Sequence, residues 1–170
     1  MNQKNTKHIL SIMVDNEPGV LARVVGLFSG RGYNIESLSV SEVDSHKFLS
    51  RITIVTSGTK IIVNQIKAQL GKLIPVHNLV DISELDSFIG KELILIKLNV
   101  KNRSTYDLKK KLEGLEAKIL VDNDSELIIQ FTGSPDDINK IEKIIEPIKI
   151  IEKTRSGLVS MTTGTDYIKK

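Results

Sequence analysis

Asn16-Glu17-Pro18-Gly19 is the stretch whose residue types are best suited to binding chemistry. It interrupts an apolar run and opens a helical one. A helix start leaves backbone N–H groups without intrahelical partners and carries the positive end of the helix dipole, which suits a carboxylate. Gly19 has no side chain, so a ligand can approach the backbone closely. Asn16 carries both a donor and an acceptor and can read an α-amino or α-carboxylate group. Val20 and Leu21 follow directly and would line a small apolar pocket. Together these parts suit a small branched-chain amino acid. Asn-x-Pro-Gly is also an ordinary way to begin a helix, with Pro18 in its first turn. The residues alone leave both readings open.

Other chemistries lack their residues. No Gly-x-Gly-x-x-Gly or Gly-x-x-x-x-Gly-Lys-Ser/Thr motif occurs. Gly30-Arg31-Gly32 falls at a helix C-terminus, where carbonyls would repel phosphate. His8, His46 and His77 stand apart, without metal-ligand spacing, and read as surface or strand-edge residues. There is no cysteine, hence no disulfide frame and no thiolate. No Ser/His/Asp grouping follows from spacing, so no catalytic and no metal-binding residue is assigned. The net charge is +3, and Lys109-Lys110-Lys111 is offset by Glu113 and Glu116, so no basic stripe for nucleic acid stands out. Aromatics make up 4% of residues, too few for a base-stacking sheet. No apolar run approaches the roughly 20 residues that span a bilayer. The polar start Met1–Lys7 shows no signal peptide, and the cytoplasm is the expected location.

The elements that must position the turn follow from periodicity. His8–Val14 is a β-branched, apolar strand. Val20, Leu21, Val24, Leu27 and Phe28 recur at helical spacing, ended by Gly30 and Gly32. Ile35–Val43 alternates, as does Phe48–Thr56, where Phe48, Ile52 and Ile54 share one face and Arg51 and Thr53 the other. The polar residues 44–47 join them as a hairpin. Ile62, Ile66, Leu70 and Leu73 form a second helix, and Val76–Ile82 a fourth strand. The order β-α-β-β-α-β is the ferredoxin-like unit.

After a linker at Ser83–Gly90 the order repeats. Leu93–Val100 is a strand, Leu108–Leu115 a helix, and Lys118–Asp122 and Glu126–Thr132 a hairpin. Ser134-Pro135-Asp136-Asp137 starts another helix carrying Ile138, Ile141, Ile144 and Ile145, and Ile148–Lys153 is the last strand. The tail from Thr154 reads as irregular. The expected fold is α+β, two tandem βαββαβ units, divided into residues 1–83 and 84–170.

The stretch from Ile9 to Leu38 resembles the ACT-domain signature of the small, regulatory subunits of acetolactate synthase (acetohydroxyacid synthase). Arg31-Gly32-Tyr33-Asn34-Ile35-Glu36-Ser37-Leu38 is its most specific part. Leu49-Ser50-Arg51-Ile52-Thr53-Ile54, Gln65-Ile66, Gln69-Leu70, Lys72-Leu73, the strand Glu92–Lys97 and the tail Arg155–Val159 also fit. The resemblance makes residues 1–83 an ACT domain for effector binding and dimerisation, and 84–170 the C-terminal domain of such a subunit.

The resemblance further implies a homodimer of side-by-side ACT domains with feedback-inhibiting valine at their interface. Asn16 and Gly19, with Val20 and Leu21, carry over as turn contacts. Asn34 and Ile35 carry over as strand contacts from the other protomer. The family implies a catalytic large subunit that holds thiamine diphosphate, a divalent metal and FAD and condenses pyruvate. The small subunit would hold none of these, would be inactive alone, and would activate the large subunit and make it valine-sensitive. The alternative is a free-standing ACT-type amino-acid sensor acting on another partner.

Overall fold

The computed structural model describes residues 5–101 and 104–164. The chain divides into two compact units, one running to Ile89 and rejoined by the tail from Leu158, the other Gly90–Gly157.

In the first unit, β1 (Thr6–Asp15) leads to α1 (Val20–Ser29), the hairpin β2 (Ser37–Asp44) and β3 (Leu49–Gly58), α2 (Lys60–Leu70) and β4 (Val76–Asp81). The antiparallel sheet has the order β2-β3-β1-β4. Period-two alternation puts Leu10, Ile12 and Val14 of β1 and Ile52 and Ile54 of β3 on one face. Val20, Val24 and Phe28 of α1 and Val63, Ile66 and Leu70 of α2 pack on them as one buried core.

The second unit has the same order. It comprises β5 (Phe88–Asn99, whose first two residues lie in the first unit), α3 (Tyr106–Glu113), β6 (Lys118–Asp122), β7 (Glu126–Gly133), α4 (Pro135–Ile145) and β8 (Ile150–Arg155), with strand order β6-β7-β5-β8. Ile94, Ile96, Leu98, Leu127, Ile129 and Phe131 meet Leu108, Leu112, Ile138, Ile141 and Ile145. The α+β architecture of two tandem βαββαβ units is thus present.

Four local features differ from the expectation. The 83–90 linker is a single 3-10 turn, Ile82–Glu84, followed by the early start of β5. Phe48 does not join Ile52 and Ile54 on the core face. It sits in the hairpin turn at φ 50 and is 67% exposed. A register shift between Glu42 and Asp44 absorbs the extra residue, so β3 begins only at Leu49. Pro18 lies in the turn before α1, and Gly19, at φ 84, is the residue that caps the helix.

The tail is the fourth difference. It does not stay with the second unit but returns to the first, where β9 (Val159–Thr162) forms. Thr163 donates its N–H to the Ser87 carbonyl at 3.4 Å and its hydroxyl to Ser87 Oγ at 2.7 Å. Leu158 fills an apolar hollow on the sheet face that the helices leave uncovered, against Ile9, Val55 and Ile82.

The start of α4 follows its sequence signal. Ser134 Oγ accepts from the Asp137 N–H at 3.2 Å, and the Ser134 N–H donates back to the Asp137 carboxylate at 3.1 Å. The Ser134 side chain, then Lys140, then the Ser134 backbone hold the Asp137 carboxyl below its ordinary range, at about 2. A depressed acid stabilises the fold above its unfolded pKa and loses that contribution as pH falls through the folded value. Asp137→Asn should therefore flatten the loss of thermal stability between about pH 4 and pH 2, read from melting midpoints across that range. Ser134→Ala should cost about 1 kcal/mol at neutral pH.

Candidate effector-binding site

The turn after β1 is pinned at its entry by two backbone bonds. The Asp15 N–H donates to the Pro75 carbonyl at 2.9 Å, and the Asn16 N–H to the Phe48 carbonyl at 2.7 Å. The exposed left-handed residue of the hairpin thus holds the turn in place. The chain then swings through Pro18 and reaches α1 by way of Gly19.

The turn does open a helix, as Asn-x-Pro-Gly commonly does, but not through the Asn16 side chain. α1 is not capped by Asn16. Its cap is Gly19, and no side chain bonds the first-turn amides. α2 and α4, by contrast, have the hydroxyls of Thr59 and Ser134 on theirs. The Asn16 side chain makes no hydrogen bond to a described residue. An added Cβ at Gly19 would meet nothing within 4 Å, so the approach to the helix end is open. The Val20 N–H turns back to the Glu17 carbonyl at 3.3 Å, so what the turn offers is the N–H groups after it, a positive dipole end and an uncommitted carboxamide.

The flanking residues divide. Val20 points inward, 3% exposed, as part of the core. Only its backbone faces the turn. Leu21 is at the surface, 37% exposed.

Asn34 and Ile35 lie beyond the other end of α1. Tyr33 N–H closes the helix by donating to the Phe28 carbonyl at 3.0 Å. The Asn34 carbonyl accepts from the buried Thr56 hydroxyl at 2.7 Å, leaving its side chain exposed, while Ile35 packs partly against the core. The Glu36 N–H joins the Val55 carbonyl at 2.9 Å. The Ser57 hydroxyl holds the Glu36 carboxylate below its ordinary range, partial burial opposes this, and Lys7 at 3.3 Å adds to the lowering. The start of β2 is thereby fixed against β3.

Within one chain the two groups do not meet. α1 has ten residues and rises about 15 Å between them. One small amino acid cannot touch Gly19 and Asn34 of the same chain. β2, which Asn34 and Ile35 introduce, is an edge strand with β3 as its sheet neighbour. Val40 and Val43 are exposed along it.

Two contacts were hidden from spacing. His8, expected at a surface or strand edge, is buried with its Nδ1 2.7 Å from Asp81 Oδ2, and its Nε2 lies 2.9 Å from Thr6 Oγ1. His77 Nε2 lies 2.5 Å from Asp15 Oδ1, just before the turn. In sequence the first pair is 73 residues apart; the pairing of β1 with β4 brings them together. The Thr6–His8–Asp81 series has the order of a hydroxyl–imidazole–carboxylate relay. Asp81 Oδ1 is taken by the N–H and hydroxyl of Ser83, and the buried imidazole is closed in between strands. The series ties β1 to the β4 end. Among the described residues no group of three or more His, Asp or Glu could hold a metal ion, and no helix is long and apolar enough to cross a membrane.

The fold is that of an ACT-type domain followed by a second unit of like topology. Residues 10–78 match the ACT domain of the acetohydroxyacid synthase small-subunit type, and residues 91–164 match the model described as small subunit of acetolactate synthase. The acetolactate synthase small subunit of Mycolicibacterium smegmatis is 37% identical over 164 residues, covering 96% of this chain and 95% of that protein. The isozyme 3 small subunit of Escherichia coli is 35% identical, covering 96% and 99%. The crystal structure of the acetolactate synthase small subunit from Thermotoga maritima superposes with a TM-score of 0.85 at 28% identity, covering 95% of this chain and 99% of that one. The chain belongs to the family of acetolactate synthase small subunits.

Proposed function

We propose that this chain is the non-catalytic regulatory subunit of an acetolactate synthase, and that it binds valine as a feedback inhibitor between two copies of its ACT domain. The observation that carries the reading is the start of α1, whose first-turn amides meet no side-chain acceptor. The valine carboxylate accepts from those amides and lies at the positive end of the helix. The Asn16 carboxamide donates to the same carboxylate. Asn34 and Ile35 of a second copy close the site, because the same residues of one chain lie at the far end of α1. Pairing along the free edge of β2 supplies that second copy. Leu21 offers the apolar surface that remains exposed at the turn.

In this reading the large subunit carries thiamine diphosphate, the divalent metal and FAD and condenses pyruvate. The small subunit raises its activity. Valine acts by differential affinity, since an effector shifts an equilibrium only if the two arrangements of the assembly bind it unequally. The protein works in the cytoplasm.

The test is reconstitution. Purified chain alone should form no acetolactate from pyruvate, and its addition to the purified large subunit should raise the rate several-fold. An unchanged rate at saturating chain would reject the regulatory reading. Acetolactate formation by the chain alone would make it an enzyme in its own right.

A further inference from the structure

The sheet of the first unit has a second face, turned away from the helices. Alternation and register place Ile9, Ser11 and Met13 of β1, Arg51, Thr53 and Val55 of β3, and Ser37, Ser39 and Ser41 of β2 on it. The tail covers one end of this face, where Leu158 packs on Ile9 and Val55 and its N–H donates to Ser37 Oγ at 3.0 Å. The other end is polar. There Arg51 pairs laterally with Met13 and Ser41, and its Nε donates to Ser11 Oγ at 2.8 Å.

Arg51 is half-buried and lacks a counter-ion among the described residues. The ion pairs of the described residues leave it out. The acids nearest along the strands are engaged elsewhere or face away: Asp15 meets His77, Asp44, opposite Leu49, accepts from the Lys47 N–H, and Glu42 falls on the other face by alternation. Burial pushes the guanidinium below its ordinary pKa, the mark of a cation desolvated without compensation. Withdrawing a charge from water is unfavourable unless an opposite charge meets it. With Nε on Ser11, the two terminal NH2 groups remain, and a guanidinium fork fits a carboxylate. The hydroxyls of Ser39 and Ser41 flank the position.

We propose that the polar half of this sheet face, centred on Arg51, is a docking surface for the catalytic large subunit, which brings an aspartate or glutamate carboxylate onto the Arg51 guanidinium. The inference rests on the regulatory reading above. The charge left open on this face selects the partner's chemistry: an acidic group set in a surface able to hydrogen-bond serine hydroxyls. It also separates two tasks within one unit, effector binding at the ends of α1 and partner contact on the opposite side of the sheet.

The chain has no cysteine, so a single introduced thiol reports on this face directly. Ser41→Cys should be alkylated at least roughly tenfold more slowly once the large subunit is added. Ile74→Cys, at a residue 95% exposed just before β4, should react at an unchanged rate. Arg51→Gln should weaken association with the large subunit by roughly 30-fold or more and reduce its salt dependence, with valine binding retained. Protection absent at Ser41→Cys, or equal at both thiols, in a complex that does form would overturn the docking surface. So would an Arg51→Gln chain that loses self-association but keeps its affinity for the large subunit, since a second copy would then supply the acid. If the unaltered chain does not assemble with the large subunit at all, it is the regulatory reading that fails first.

Discussion

Replacing Gly19 by aspartate should raise the valine concentration for half-inhibition of the reconstituted enzyme by roughly 100-fold, with the chain still folded. Two carboxylates about 4 Å apart repel by about 4 kcal/mol at an effective dielectric of 20. Each tenfold in affinity is about 1.4 kcal/mol, so a repulsion of only about 3 kcal/mol already suffices. The new side chain would also accept from the first-turn amides that valine needs. The fold tolerates it because a Cβ at Gly19 meets nothing within 4 Å. The backbone cost of φ 84 is of order 1 kcal/mol, and Asp and Asn bear it better than other residues. Gly19→Asn is the control, with the same backbone strain and no charge. It should shift half-inhibition by less than about tenfold. Equal shifts in both variants would make the effect one of strain. Asn16→Asp, which keeps the shape of the side chain and adds the charge, should behave like Gly19→Asp.

Leu158→Ala should remove about 3 kcal/mol of stability from the first unit. The side chain is 2% exposed and lies on the sheet face opposite the helices, with Ile9, Val55 and Ile82. Truncation there leaves a cavity between a sheet and a strap with few other apolar contacts to close it. For a domain stable by some 5–15 kcal/mol the loss is large. Hydrogen exchange should show it locally, with faster exchange in β1, β3 and the 3-10 turn and unchanged protection in β6–β8. Uniform loss across both units would mean that the tail does not belong to the first unit's stability.

The elements with strong periodicity were legible because their neighbours are local. Ile52 and Ile54 alternate with Arg51 and Thr53, and Val20, Val24 and Phe28 recur along one helix stripe, so faces followed from spacing alone. Leu158 was not legible: one leucine between Gly157 and Val159 has no period, and its burial depends on a hollow built by β1, β3 and the 3-10 turn. Phe48 misled because alternation ran into a turn whose extra residue is visible only in the β2–β3 register. His8 and Asp81 were separated by the whole unit until β4 paired with β1.

The site was half legible. Asn16 and Gly19 announced themselves by type, but which of them caps α1 is a matter of φ and reach, not of spacing. The 15 Å or so of α1 between Gly19 and Asn34 keeps the candidate turn contacts and strand contacts apart within one chain.

The central claim is that valine bound to this chain governs a second protein. Valine should be titrated calorimetrically into the purified chain, and acetolactate formation followed over the same valine range with the large subunit added. Linkage requires the two to be coupled. A saturable heat for the chain alone and inhibition of the reconstituted enzyme are expected. No heat with the chain and no change in rate would contradict it.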